Sequence, residues 1–298
     1  MFKSKIKRML MPNKIAHLIW KIVRAVIITG LCFIILYPFF LKVVDSFKSV
    51  EDLIDPMVKF IPKHFTINNV KSIIQNMDYP KAVAVTALIA GIVGFLQMFT
   101  TSLIGYGFAR FKFKGHRILF LMVIMTLIVP PQTIVIPMFM KFRFFLFGKV
   151  SLIDTIWPII IMSVTGLGIK NGLYIFMLRQ HFRNLPKELE EAAYIDGYNN
   201  LQTFFKIILP SSKTMLVTVF LLAFSWQWTD TLYSGLYLRN FPIMPNLMST
   251  AAPIVSSPTM QLILNNSAAV LGILPLALVY FIGQNFFVKG VERSGIVG

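Results

Sequence analysis

Residues Pro186-Lys187-Glu188-Leu189-Glu190-Glu191-Ala192-Ala193-Tyr194-Ile195-Asp196-Gly197, running on to Ile207-Ile208-Leu209-Pro210, form the longest strongly polar stretch among the apolar runs of this chain. The stretch reads as two short helices with a bend between them. Pro186 suits a first helical position, where its missing N–H costs nothing. Glu188, Glu190 and Glu191 fall in the first turns, where the helix dipole favours negative charge. Gly197 after Asp196 fits a left-handed stop. A second helix over Leu201–Ile208 is expected to end at Pro210. Two readings fit these residues alone: a well-capped connector, or a rigid peg offered to another protein.

Outward from this stretch the chain is apolar. Its 298 residues are 56% hydrophobic and 14% charged, with a mean hydropathy of +0.71. Soluble domains carry about a quarter charged residues. The composition predicts an all-α polytopic membrane protein with one membrane domain over 1–298. Six spans are expected: 19–41, within 81–108, 118–140, 153–178, 215–238 and 267–288. The second is long and holds Gly91, Gly94, Gly105 and Gly107, which predicts tilt or a bend. The third is interrupted by Pro130-Pro131 and Pro137, and proline inside a span frees backbone carbonyls that need protein or a wet cavity. The fourth holds Gly168-Ile169-Lys170-Asn171-Gly172, a spacing that permits close helix approach. Trp226, Trp228, Tyr233 and Tyr237 near the end of the fifth read as an interfacial belt. The segment 43–80 reads as a loop with five of the twelve acids, and 239–264, with four prolines, as irregular. The basic start followed by an apolar run reads as an uncleaved anchor.

The net charge of +17 sets the orientation. With the N-terminus inside, eighteen lysines and arginines fall in inner segments and ten in outer ones, leaving Lys170 inside a span. Both termini and the polar stretch are then cytoplasmic: a basic N-terminus at 1–18, the loop at 179–213 and a tail at 289–298. The excess charge reads as this bias plus contact with anionic lipid, with no nucleic acid needed.

Catalytic patterns are missing. There is no Walker A motif, no metal spacing among His17, His64, His116 and His181, and no Gly-x-Ser-x-Gly. Lys170 at mid-bilayer costs roughly 2.5–3.5 kcal/mol, so it reaches an interface or a cavity. Asp230, near a span end, reads as an interface anchor ahead of an ion ligand. Gln97, Asn171, Gln227 and Asn285 either join helices or line a wet path. The one cysteine, Cys32, permits no intrachain disulfide.

Glu191-Ala192-Ala193, then Gly197, then Ile207 and Leu209-Pro210, resembles the EAA signature of ABC importer permeases. Most of the chain is similar to the six-span subunit of the maltose-type carbohydrate importers. Gly105-Tyr106-Gly107-Phe108-Ala109-Arg110, Val129-Pro130-Pro131-Gln132-Thr133-Ile134-Val135-Ile136-Pro137 and the ending Phe287–Gly298 carry that likeness. Trp228-Thr229-Asp230 departs from the family's Trp-Asn-Asp at Thr229. The resemblance implies the ABC type I importer permease fold in a prokaryotic inner membrane. It implies a non-catalytic subunit with two cytoplasmic ATPase partners, which bind ATP and magnesium. It also implies a second permease subunit of a different chain and an extracytoplasmic sugar-binding protein. By the same likeness Glu191, Ala192, Ala193, Gly197, Ile207, Leu209 and Pro210 couple ATPase closure to alternating access. The resemblance further implies that the loop Asn240–Gln261 reaches into the binding protein and that the tail touches the ATPases. No substrate-contacting residue is assigned. The competing readings are a stand-alone channel or secondary transporter, which intramembrane acids would favour, and a membrane-embedded enzyme.

Overall fold

The computed structural model describes residues 2–248 and 250–295. Regular structure among them is helical apart from one bridge between Phe145 and Val150. In a bilayer, backbone groups must find partners inside their own segment, which helices achieve. Three helices are long and apolar enough to cross a membrane: Ala16–Ser46 within α1 (Phe2–Ser46), α4 (Tyr79–Arg110), and Pro258–Val288 within the last helix, Pro258–Gly295. The number rises to five if each of two bent pairs is one span. The third expected span is such a pair, α5 (His116–Ile128) and α6 (Pro131–Arg143), bent by 103°. The fourth is two shorter helices, α7 (Trp157–Val164) and α8 (Asn171–Asn184).

One compact unit comprises residues 1–73 and 252–271. Its segment after α1 is not the plain loop that the acids suggested. It holds α2 (Val50–Ile54), capped by Ser49, and the start of α3 (Asn68–Asn76). Asn69 Nδ2 donates to the carbonyls of Ser46 and Lys48 at 3.1 and 2.9 Å. The Asp45–Lys48, Asp55–Lys63 and Asp52–His64 pairs close the rest at 2.9, 2.7 and 2.8 Å.

The other unit comprises residues 74–251 and 272–298. α4 is its pillar, an unbroken helix of 32 residues. Two of its glycines, Gly94 and Gly105, make room for neighbours. A Cβ on Gly105 would stand 3.0 Å from Leu178 Cβ and 3.1 Å from the Arg179 backbone nitrogen. α8 and α11 (Lys213–Trp228) pack along it, with Tyr106, Tyr174, Phe182, Phe204, Ile208 and Met215 in one buried cluster. A second cluster joins Ile89, Val93, Ile159, Phe142 and Tyr237.

Several expectations change here. The Gly168–Gly172 spacing does not lie on one helix: Gly168 and Lys170 sit between α7 and α8, and Lys170 has φ +61°. Gly172 approaches Thr126 and Val123 of α5 closely, and Gly168, in the break, approaches Gln97 of α4. The aromatic belt is mostly interior, since Trp228, Tyr233 and Tyr237 are buried and only Trp226 is exposed. The irregular loop ends early, because the last helix begins at Pro258 and Ser257 accepts the backbone N–H of Met260. Of the residues assigned to the N-terminus, this loop and the tail, Met1, Ser249 and 296–298 lie outside the described residues.

Candidate functional site

The polar stretch forms the expected first helix, but Pro186 is not its first residue: it lies outside, just before the Lys187 cap. α9 (Glu188–Ile195) starts after Lys187, with the three glutamates in its first turn. At its end the N–H of Tyr198 reaches the carbonyl of Ala193 at 2.9 Å, and that of Gly197 reaches Tyr194 at 3.1 Å. With Gly197 at φ +83°, this is the glycine-dependent double closure of a helix C-terminus. Asn199 and Gln202 then form a reciprocal capping box. The second helix, α10 (Asn200–Ser211), runs through Pro210 to Ser211. Pro210 does not stop it, because Phe204–Ile208 form a π turn in which the N–H of Leu209 reaches Phe204. A single wide turn of this kind often marks a functional position. α10 meets α11 at 81°.

The helical period sorts the side chains of α9. Glu190 and Ala193 face inward, three residues apart, while Glu191, Ala192, Tyr194 and Ile195 face out. The seven residues of the signature therefore do different things. Glu191, Ala192 and Pro210 are exposed, Ala193 is fully buried, Gly197 makes the turn, and Ile207 and Leu209 are half-buried. Leu209 packs on the aromatic cluster around Tyr106. Ile195, 86% exposed, and Leu201, 65% exposed, make an apolar tip beside Glu191.

The anchor of the stretch was not in that reading. Arg110, the last residue of α4, donates from Nε to Glu190 Oε1 at 2.9 Å and from Nη2 to the Leu185 carbonyl at 2.9 Å. The pair is nearly closed to solvent, with side chains 8% and 11% exposed. The partners stand 80 residues apart, so no local pattern announces them. The Asn199–Gln202 box does have a local signal, a capping residue with glutamine three positions later. Tyr194 Oη donates to Asn200 Oδ1 at 2.9 Å, holding α9 against α10. The result is a two-helix peg with an apolar tip, joined to α4 by one ion pair and one aromatic cluster.

The intramembrane polar residues take separate roles. Asp230 caps α12 (Leu232–Tyr237), accepting from the backbone N–H of Tyr233 at 3.1 Å and of Ser234 at 2.6 Å. Its carboxylate is half-buried and engaged with the backbone rather than exposed. The Lys170 ammonium lies 4.8 Å from the Trp226 ring centroid, a favourable cation–π contact. Gln97, Asn171 and Gln227 are buried, whereas Asn285 is exposed.

The model of a family described as binding-protein-dependent transport system inner membrane component matches residues 101–293. The chain belongs to that family. It is a multi-pass inner-membrane permease subunit, without catalysis of its own, in an ABC importer whose ATPase partners bind the nucleotide. A probable ABC transporter permease protein of Pyrococcus horikoshii is 30% identical, over 79% of this permease and 79% of the relative. The arabinooligosaccharides transport system permease protein AraQ of Bacillus subtilis is 26% identical, over 94% of this permease and 97% of AraQ. Among solved structures, one described as a bacterial ABC transporter involved in the import of the acidic polysaccharide alginate superposes with a TM-score of 0.72. It is 21% identical and covers 90% of this permease and 96% of its own chain, so the fold is shared.

Proposed function

We propose that this permease carries carbohydrate, of the oligosaccharide class, and that residues 186–211 are its coupling element. The observation that supports the coupling reading most is the buried Arg110–Glu190 pair beneath an exposed apolar tip. An ATPase gripping Ile195, Leu201 and Glu191 would move α9. The ion pair and the Tyr106 cluster then pass that movement to α4, which runs 32 residues as one rod. Ala193 seats the peg, Gly197 turns it, and Ile207, Leu209 and Pro210 form its hinge with α11. The name of AraQ supports the carbohydrate class.

In this reading the chain is one permease domain that crosses the membrane six times with both termini cytoplasmic, its broken helices counting as spans. Two ATPases sit beneath it, a second permease of different sequence completes the path, and a sugar-binding protein delivers cargo to the loop 240–261. Glu191→Lys is expected to abolish uptake of labelled oligosaccharide by the reconstituted complex while leaving the chain in the membrane. Undiminished uptake by that variant refutes the coupling role.

A further inference from the structure

At the end of α4 the chain encloses an open cavity of about 840 Å³. Its walls are the last turn of α4, the turn 111–115, the start of α5 and the last turns of α8. Six cations line it: Arg110, Lys112, Arg117, Arg179, Arg183 and Lys187. No acid does, and the nearby Glu190 is already held by Arg110. Among the described residues no salt bridge involves the other five. Arg179 and Arg183 stand one helical turn apart on α8, a like-charge spacing that destabilises a helix unless an anion lies between. Burial and the charge of Arg183 both push the Arg179 guanidinium below its ordinary value. Arg179 is nonetheless held in place: Nε donates to the Phe108 carbonyl at 3.2 Å, and the guanidinium lies 3.9 Å from the Phe120 ring centroid. His116 Nε2 meets the same carbonyl at 3.0 Å. The cavity is thus a preformed basic cradle.

Its rim is apolar. Phe111, Phe113 and Ile118 border the cations and are 39%, 45% and 63% exposed. Beyond them α5 has no buried residue along its 13 positions. A free inorganic anion needs no such rim. An amphiphile with a phosphate at one end and hydrocarbon at the other matches both halves, since charge attracts charge and the chains cover apolar surface.

We propose that this cavity binds an anionic phospholipid. Arg117, Arg179, Arg183 and Lys187 hold the phosphate, and the acyl chains lie along α5. The site needs only the membrane location of the chain, so it stands or falls separately from the coupling reading. Arg110 and Lys187 belong both to the cavity and to the foot of the peg, which places the lipid where it would steady α9.

The test is native mass spectrometry of the purified complete transporter, titrated in parallel with dioleoyl phosphatidylglycerol, dioleoyl phosphatidylcholine and inorganic phosphate. Phosphatidylglycerol should be retained over phosphatidylcholine. Arg179→Gln with Arg183→Gln should weaken its retention about 30-fold, at about one kcal/mol per cation removed. Arg117→Gln, an exposed change that spares the interior, should weaken it about fivefold on the same scale, and Lys71→Gln should leave it unchanged. Equal retention of the two lipids overturns the proposal. So does displacement of phosphatidylglycerol by inorganic phosphate binding equally well, which marks a free-anion site. Release of the ATPases from the double variant with lipid retention intact also overturns it, and assigns the cations to an acidic protein surface.

Discussion

The polar segments 48–64 and 186–211 both interrupt apolar helices, and both close on an acid–base pair, yet they are held by different physics. In the first, Asp55 and Lys63 are 34% and 58% exposed, and the His64 ring that meets Asp52 is 64% exposed. Water competes for such contacts, and exposed pairs contribute about 0–1 kcal/mol. In the second, Arg110 and Glu190 are shut from solvent and lie against the Tyr106 cluster. The first segment is therefore buried only at its base, where Lys48 meets Asp45, and is latched at its far end through the exposed Lys63 and His64, while the second is keyed into the interior. A part that transmits force needs the second kind of attachment, because a surface latch slips before the rod behind it moves.

The strongest way to break this comparison is Glu190→Gln. It strands a buried guanidinium, and losing one partner of a buried pair costs about 3–5 kcal/mol. The thermal midpoint of the detergent-solubilised complex should fall by several degrees, whereas Asp55→Asn should leave it nearly unchanged. Equal effects would erase the distinction. Gly197→Val comes next. A branched side chain at φ +83° costs about 1–2 kcal/mol, and uncoupled ATP hydrolysis should appear before the protein unfolds.

The smallest effect sharpens the contrast from the other side. The Lys63 ammonium and the backbone N–H of Met57 hold the Asp55 carboxyl below 3.8. Burial would raise Asp52, but the backbone N–H and ring of His64 outweigh it and also set it below 3.8. Hydrogen bonding to Asp55 raises Lys63 above 10.5. A depressed carboxyl stabilises above its unfolded value and ceases to as pH falls through its folded one. A raised ammonium stabilises below its unfolded value and ceases to as pH rises through its folded one. Amide-exchange protection of residues 50–64 should therefore hold between about pH 4 and about pH 10 and decline beyond either limit. A midpoint near neutrality would refute this account.

Local features were legible. The glutamates of the first turn and Gly197 act at the two ends of one helix, so their roles follow from types and spacing, whereas Pro186 stands two positions ahead of the first helical residue rather than in it. Pro130-Pro131 break α5 from α6 because a missing N–H breaks a helix wherever it lies. The end of α10 was misjudged at Pro210 because a π turn re-registers the hydrogen bonds around it, a choice made by the packing of Phe204 and Ile208. Trp228 and Tyr237 passed for a belt because an aromatic ring at a span end looks the same facing lipid or protein. Trp228 faces inward, with Nε1 donating to the Gly272 carbonyl at 3.2 Å.

The amino-acid sequence by itself determined that this chain is helical, lives in a membrane, belongs to the permeases and carries one capped polar peg. Hydropathy, helix-end chemistry and a spaced motif are properties of neighbours along the chain. Tertiary structure alone decided that Arg110 meets Glu190, that Gly168 and Lys170 stand in a helix break, and that six cations share one cavity. Apolar residues facing lipid and facing protein carry the same hydropathy. Only the rotation and contact of whole helices tell them apart, and those are set by partners far away in sequence.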